Sequence, residues 1–460
     1  MADKIIIPIA MGCVATFLIF WSLSGLLIKI FTSIKSVYYK GVNSFVLRQF
    51  CSKINTTVFS TTIICLMLFI TISVLSAALS MKNSMSSDFK KMCPVDIQFT
   101  KISYEALKEA YATADKDSDD YEKTTKILED SKLSISDTLK NNGFDVDEYL
   151  KNMTEYSVYQ TGLEEMDTLG ILADEICEKY TMVSFLSSVN FMKLSDYNKI
   201  ATLYGNETYS LGDNEYLIVA NFKTVADIRN MALKAGTKID INGKTYSPKY
   251  QECKDGFIEL ASQHINDGIF IVPDDALTDS QLYKCGMTAD YKADSKEEKY
   301  DIENKLDDIS KNIFNQTSYL SYNSKIDLAE ASVGLGALVT FIALYLGIIF
   351  LISSAAILAL KELSDSADNR ERYGMIRKIG VDEKMINMAL FKQIGIFFAF
   401  PLLLAIIHSV FGIKFINLIL QTMGMSSMLA SVGITFVFLV VIYGGYFIIT
   451  YLCSKSIIRP

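Results

Sequence analysis

Five long apolar runs interrupt an otherwise polar chain, at 1–30, 57–80, 332–360, 391–412 and 428–453. A run of 18 or more apolar residues without charges reads as a membrane span, since a spanning helix needs about 20 residues. The third run carries no charged residue and passes directly into KELSDSADNRERYGMIRKIG (361–380), where charges recur at helical spacing. Gly380 offers the position just past a helix end, where the chain turns left-handed at little steric cost. Asp382 can cap a new helix, which continues through Met385, Ile386, Leu390 and Ile394 into the fourth run. The pattern predicts two membrane helices joined by a helix–turn–helix over 361–390. Pro401, inside the fourth run, is expected to kink it.

Ahead of the second run, within 31–56, Val46, Phe50 and Ile54 recur every four residues with Leu47 alongside, and Arg48, Gln49, Ser52 and Lys53 take the other face. A basic amphipathic helix beside a span lies in the membrane interface, so an elbow helix is expected there. The block 81–331 has a different texture. Strand-like runs at 94–99, 215–220 and 268–273 alternate with helical ones at 104–116, 121–141 and 295–314. Such alternation argues a mixed α/β domain. Asn242-Gly243, between KIDI and KTYS, reads as a tight hairpin turn. Gly334, Gly336, Ala343 and Gly347 give the third run small positions where another helix can approach closely.

Charge orients this arrangement. The block 81–331 holds 28 Lys+Arg against 45 Asp+Glu, a net of −17, whereas the remainder nets +9. Basic residues stay on the cytoplasmic side of membranes. Lys29, Lys35, Lys40, Arg48 and Lys53 follow the first run, seven Lys/Arg fall in 361–392, and Lys455 and Arg459 end the chain. One topology satisfies all of these: N-terminus outside, acidic block outside, joint and C-terminus inside. The expected class is an α-helical integral membrane protein with five transmembrane helices and a large mixed α/β extracellular domain.

Chemistry adds exclusions. Cys93, Cys177, Cys253 and Cys285 lie in the acidic block and allow either disulfides or free thiols. With only His264 and His408 present, a histidine-rich metal site is excluded. DKDSDDYE (115–122) lacks the Gly and terminal Glu of a calcium loop and reads as a solvated loop leading into a helix. Gly243-Lys244-Thr245 matches the second half of a phosphate-binding loop, but Lys238 stands where its first Gly belongs. No Gly-x-Ser-x-Gly elbow or HExxH motif is present. The apolar runs carry no acidic or basic residue in their middles, which leaves an ion relay unsupported. Any hydrolytic energy must therefore come from another chain, and nothing points to nucleic acid.

The order of one span, a large external domain and three further spans resembles the FtsX-like permease module of ABC transporters. RERYGMIRKIGVDEKMINMALFKQIGIFFAFP (370–401) is similar to that family's cytoplasmic joint, and VNSFVLRQFCSKINTTVF (42–59) to the elbow ahead of its first span. Both are closest in wording to the bacitracin-exporter and antimicrobial-peptide detoxification permeases of Gram-positive bacteria. The resemblance implies a permease without an ATPase site or cofactor of its own. ATP would be bound by a cytoplasmic ABC ATPase subunit that docks on the joint and drives motion of the external domain. Matching positions make Arg370, Arg372, Tyr373, Met375, Arg377, Lys378, Gly380 and Lys384 the docking candidates. It further implies contact with membrane lipid, a sensor histidine kinase partner and residence in the plasma membrane. Such permeases usually have ten spans and only the last five correspond here, so a separate N-terminal permease half is expected as a partner. The alternatives are an FtsX-like regulator of cell-wall hydrolases, a lipoprotein- or lipid-extracting permease, and a membrane-anchored receptor without ATPase coupling.

Overall fold

A computed structural model describes residues 3–33, 41–111, 121–180, 184–310, 319–421 and 429–459. The acidic loop up to residue 120, the end of the helix expected at 295–314 and residues 422–428, between the fourth and fifth apolar runs, lie outside the described residues. The chain forms two units. A helical unit comprises Met1–Asn83, Ala337–Ile419 and Ser427–Pro460, and a sheet unit comprises Ser84–Gly336 with Leu420–Ser426.

The helical unit is built from α1 (Asp3–Ser33), α2 (Asn43–Met92) and four later helices that follow the sheet unit in sequence. Among the described residues, four helices are long and apolar enough to cross a membrane. They are α2 and, in the numbering completed below, α11 (Lys325–Asp368), α13 (Glu383–Gln421) and α14 (Leu429–Ile457). In α1 the apolar stretch Ile6–Ser22 is described. Two expectations change here. The elbow is not a separate helix, because 43–56 is continuous with the second span in α2. Residues 413–421 continue α13 rather than opening a loop.

α2 lies at the centre of this unit. Its apolar stretch is 56 % buried, against 29, 33 and 17 % for α11, α13 and α14. The cause is its small and hydroxylated residues. Gly347 of α11 sits against Leu75 and Thr71, and Gly412 of α13 against Phe69 and Ser73. Close approach of this kind rewards packing where lipid offers no hydrophobic drive. Thr62 and Thr71 donate to the carbonyls four residues back, at 2.7 and 2.8 Å, so their hydroxyls cost little in an apolar setting. Ser76 donates to Thr435 of α14 at 3.0 Å. Within α13, Tyr443 of α14 donates to Phe398 O at 2.9 Å, three residues before Pro401.

The sheet unit has nine strands in the order β5-β6-β4-β7-β3-β2-β8-β1-β9. These are β1 (Ile97–Ile102), β2 (Leu150–Tyr159), β3 (Phe191–Lys193), β4 (Glu215–Val219), β5 (Ile239–Ile241), β6 (Lys244–Pro248), β7 (Ile269–Val272), β8 (Leu282–Tyr291) and β9 (Leu320–Ser324). Between them run α3 (Tyr104–Ala110), α4 (Tyr121–Ser131), α5 (Ile135–Asn141), α6 (Val146–Tyr149), α7 (Ala173–Lys179), α8 (Leu194–Tyr204), α9 (Lys223–Lys234) and α10 (Lys296–Ser310). The pairs β3/β7 and β4/β6 are parallel and the others antiparallel. The expected mixed α/β character is therefore present.

Side chains alternate across a strand, and both faces of this sheet are covered. Leu217, Val219, Ile269 and Ile271 enter one core with Tyr197 and Ile200 of α8, while Tyr216, Ile218, Phe270 and Val272 enter another with Leu233 of α9. That double burial is why β4 and β7 read as continuous apolar runs. Ile97, Phe99, Met287 and Leu320 share a third core with Leu139 of α5 and Leu306 of α10. Gly286 of β8 lies under the buried Tyr156 ring, where a Cβ would fall 2.0 Å from it. The Asn242-Gly243 turn is present, with φ of 52° and 79° between β5 and β6. The helix expected over 121–141 is split by Lys132–Ser134, and Ser134 caps α5 by accepting from Asp137 N. Cys93, Cys177, Cys253 and Cys285 are all free thiols.

Candidate functional site

The joint is a short helix between two turns. α11 ends at Asp368, Asn369 turns the chain, and α12 (Arg370–Lys378) follows. Ile379 ends α12, and Gly380 comes next at φ +93° with nothing within 4 Å of a built Cβ. Gly380 N bonds Arg377 O at 2.9 Å and Val381 N bonds Ile376 O at 3.2 Å, which closes the orphan carbonyls of the helix end. Backbone bonds from Met385 N and Ile386 N to Asp382 O then open α13.

α12 has two faces with different work. Arg370, Arg372, Met375, Lys378, Ile379, Gly380 and, beyond the turn, Lys384 are exposed. The docking candidates are thus exposed, with two exceptions. Tyr373 is 0 % exposed, so the expectation that it meets a partner is corrected. Its hydroxyl donates to Gln393 Oε1 at 2.9 Å, and its ring stands edge-on to Phe45 of α2 at 5.2 Å. Burial of the phenol demands such a partner. Arg377 is half-buried and pairs with Glu383 while donating to Ile458 O at 2.8 Å. It fastens α12 to the start of α13 and to the end of α14.

Further contacts tie the joint to the first turns of α2. Arg372 Nη1 donates to Gln49 Oε1 at 2.9 Å, and Lys392 Nζ donates to Asn43 Oδ1 at 3.0 Å. Gln49 was expected on the polar face of an interfacial helix. It is 4 % exposed, while Arg48 beside it is exposed. The physical reason is that Gln49 has a cationic donor to satisfy it inside.

Sequence reasoning named Met375 but missed the rest of the apolar part of the exposed surface. Ile379 is 80 % exposed, and Met375, Met385 and Met388 are exposed too. Isolated exposed apolar residues are ordinary, but these flank one turn and alternate with Lys378 and Lys384. Ile379 directly before a helix-ending Gly was the available signal.

The sheet unit offers cavities rather than a reactive centre. One of about 500 Å³ is lined by Lys101, Tyr104, Ser157 and Cys285 among others, and another of about 150 Å³ by Asn190, Asn221, Phe257 and Gln263 among others. Lys101 is 4 % exposed, and burial lowers its pKa. A buried ion pair joins Arg229 of α9 to Glu165 at 2.9 Å. His408 of the helical unit stands edge-on to Phe69 at 6.2 Å.

Comparison with known proteins adds a likeness. No protein-family model matches the chain. It is 31 % identical over 93 residues to the ABC transporter permease protein YxdM of Bacillus subtilis, covering 20 % of this chain and 15 % of that protein. It is 34 % identical over 92 residues to the bacitracin export permease protein BceB of Bacillus subtilis, covering 20 % of this chain and 14 % of that one. BceB of Halalkalibacterium halodurans is 28 % identical over 105 residues, 22 % of this chain and 16 % of that protein. The chain thus matches only about a sixth of the length of these relatives. This multi-pass membrane protein is similar, over about a fifth of its length, to ABC transporter permeases, bacitracin export permeases among them.

Proposed function

We propose that this chain is the permease subunit of an ABC transporter in which ATP-driven motion reaches the sheet unit mechanically. A cytoplasmic ABC ATPase would bind ATP and dock on the joint. The observation that carries this reading is the exposed surface of Arg370, Arg372, Met375, Lys378, Ile379 and Lys384, held in place from behind by Tyr373 and Arg377. Cations around an apolar centre suit a protein partner. The net of +9 outside 81–331 supports a cytoplasmic joint, five spans and an extracellular sheet unit. Likeness to bacitracin export permeases supports a role in antimicrobial-peptide resistance at the plasma membrane of a Gram-positive-type bacterium. The net of −17 in the sheet-forming block favours cationic peptides at ranges up to about 10 Å. A sensor histidine kinase and a separate N-terminal permease half are the further partners of this reading.

The test is co-purification of the ABC ATPase with the full chain. Charge reversal at Arg377 would break the joint from inside, so the informative variant is Lys378→Glu with Lys384→Glu, both exposed. The expected result is loss of the ATPase while the permease still inserts. Retention at the unaltered level would refute docking at this surface. Labelling that placed 361–390 on the same side of the membrane as 184–310 would remove the whole mechanism.

A further inference from the structure

We propose that the larger cavity of the sheet unit binds a short peptide that carries a free C-terminal carboxylate, seated on Lys101, and a cationic far end. This holds whether or not an ATPase docks on α12.

Strand register builds the floor of the site. Lys101 of β1 stands opposite Cys285 of β8, and Cys285 stands opposite Ser157 of β2, so the three form one row on adjacent strands. The turn between α4 and α5 and the start of α3 also line the cavity, whose volume is about 500 Å³. Small-molecule pockets have this size and combine apolar walls with a few convergent polar groups. Ile102, Leu133, Ile135 and Leu282 supply the apolar part.

Charge identifies the occupant. Lys101 is 4 % exposed, yet among the described residues its ammonium bonds only neutral carbonyls, those of Leu133 and of Asp130, the latter at 3.5 Å. The carboxylates of Asp130 and Asp137 act on it at longer range, and burial outweighs them in lowering its pKa. Carbonyls at a helix end carry only partial charge, whereas buried charges are ordinarily paired. An ammonium also has three protons to donate, and the two carbonyls leave one of them. A carboxylate in the cavity supplies both the counter-ion and the missing acceptor.

The mouth has the opposite sign. Glu105, Glu155 and Asp279 line the same cavity and are exposed, while Lys132, the other cation there, is paired with Glu129 at 2.8 Å. A dianionic phosphate would meet one buried cation behind an acidic rim. A monoanionic carboxylate with an amine at its far end meets both signs in order. Glu105 and Leu282 also line a neighbouring cavity of about 340 Å³, together with Lys108, Glu109 and Gln160. The space therefore continues beyond one amino acid, which favours a peptide.

The test is equilibrium dialysis of the purified full chain in detergent against radiolabelled lysyl-leucine at neutral pH, with lysyl-leucinamide as the control. Saturable binding of the acid is expected, weaker by about tenfold or more for the amide, which lacks the charge that Lys101 bonds. Glu155→Gln with Asp279→Asn changes exposed side chains only and is expected to weaken binding of the acid about threefold or more. Lys101→Met is expected to abolish it, with melting checked in parallel because the Leu133 carbonyl loses its donor. Equal binding of acid and amide would overturn the proposal, and this comparison needs no variant to fold. Unchanged affinity in the Glu155/Asp279 variant, or in a folded Lys101→Met chain, would overturn it as well. So would the lack of saturable binding at millimolar peptide, since Lys101 would then serve only to fasten the end of α4.

Discussion

Glu303 makes the stability of the sheet unit depend on pH. It lies on α10, 6 % exposed, and Tyr291 Oη donates to its Oε1 at 2.9 Å. Burial pushes its pKa up to about 7 from the ordinary 4.5, and Asp327 and Asp307 add to the rise, against hydrogen bonds from Ser324 and Tyr291. A raised carboxyl pKa means that folding favours the neutral acid. Its contribution is therefore complete below about pH 4.5, declines as pH rises, and is gone above about pH 7. At 1.36 kcal/mol per pH unit the gap amounts to about 3 kcal/mol. For a unit of this size that is about 6–12 °C in melting temperature. Glu303→Gln keeps the acceptor for Tyr291 and removes the charge. The variant and the unaltered chain should melt together near about pH 4.5, and the variant should be the more stable by about 3 kcal/mol at about pH 8. The assay is thermal unfolding of the purified full chain in detergent across that range. A difference between the two that does not change with pH would refute the argument.

Three further outcomes follow from buried contacts. Tyr373→Phe strands the Oε1 of Gln393, itself 1 % exposed, and should cost about 1–3 kcal/mol in unfolding measurements, largely restored by Gln393→Leu in the same chain. Arg229→Met leaves Glu165 as a buried charge without its 2.9 Å partner and should cost about 3–5 kcal/mol, with Glu165→Met recovering most of the loss in the same melting assay. Burial pushes the thiols of Cys93 and Cys253 up to about 11, so neither should be alkylated by iodoacetamide at neutral pH in the folded protein, whereas denaturation should expose both to labelling read by mass spectrometry.

The legibility of the chain follows from how each element is stabilised. Apolar runs of span length declare themselves, because composition alone decides whether a helix tolerates lipid. β4 and β7 were legible for a related reason, since burial on both faces leaves no polar alternation to confuse. Asn242-Gly243 was legible because the turn needs positive φ at both positions. Strands such as β2, β8 and β9 were not. β2 mixes exposed and buried positions and carries an irregularity between Lys151 and Thr154, with Asn152 at φ 55°. Its pairing with β8 joins residues more than a hundred positions apart, which local periodicity cannot register. The break at 132–134 carries no Gly or Pro, and the Ser134 cap is what marks the restart.

At the joint, residue type gave the place and helical phase gave the roles. Arg370, Arg372, Arg377 and Lys378 look alike in sequence, yet Arg377 shares the face of Tyr373 and Ile376 and is consumed by Glu383 and the Ile458 carbonyl. Lys378 falls on another side and stays in solvent, whereas Arg370, nearly in phase with Arg377, is exposed at the first residue of α12. Arg372 stands between: one nitrogen of its fork binds buried Gln49 while the side chain as a whole remains exposed. A guanidinium can divide its donors in this way, and an ammonium cannot hold the same two directions at once. Arg372 is thus the one candidate whose chemistry suits both surfaces of α12, the exposed face and the face fastened to α2. Its replacement by Lys should therefore separate the two functions, sparing net charge at the exposed surface while loosening the tie to Gln49.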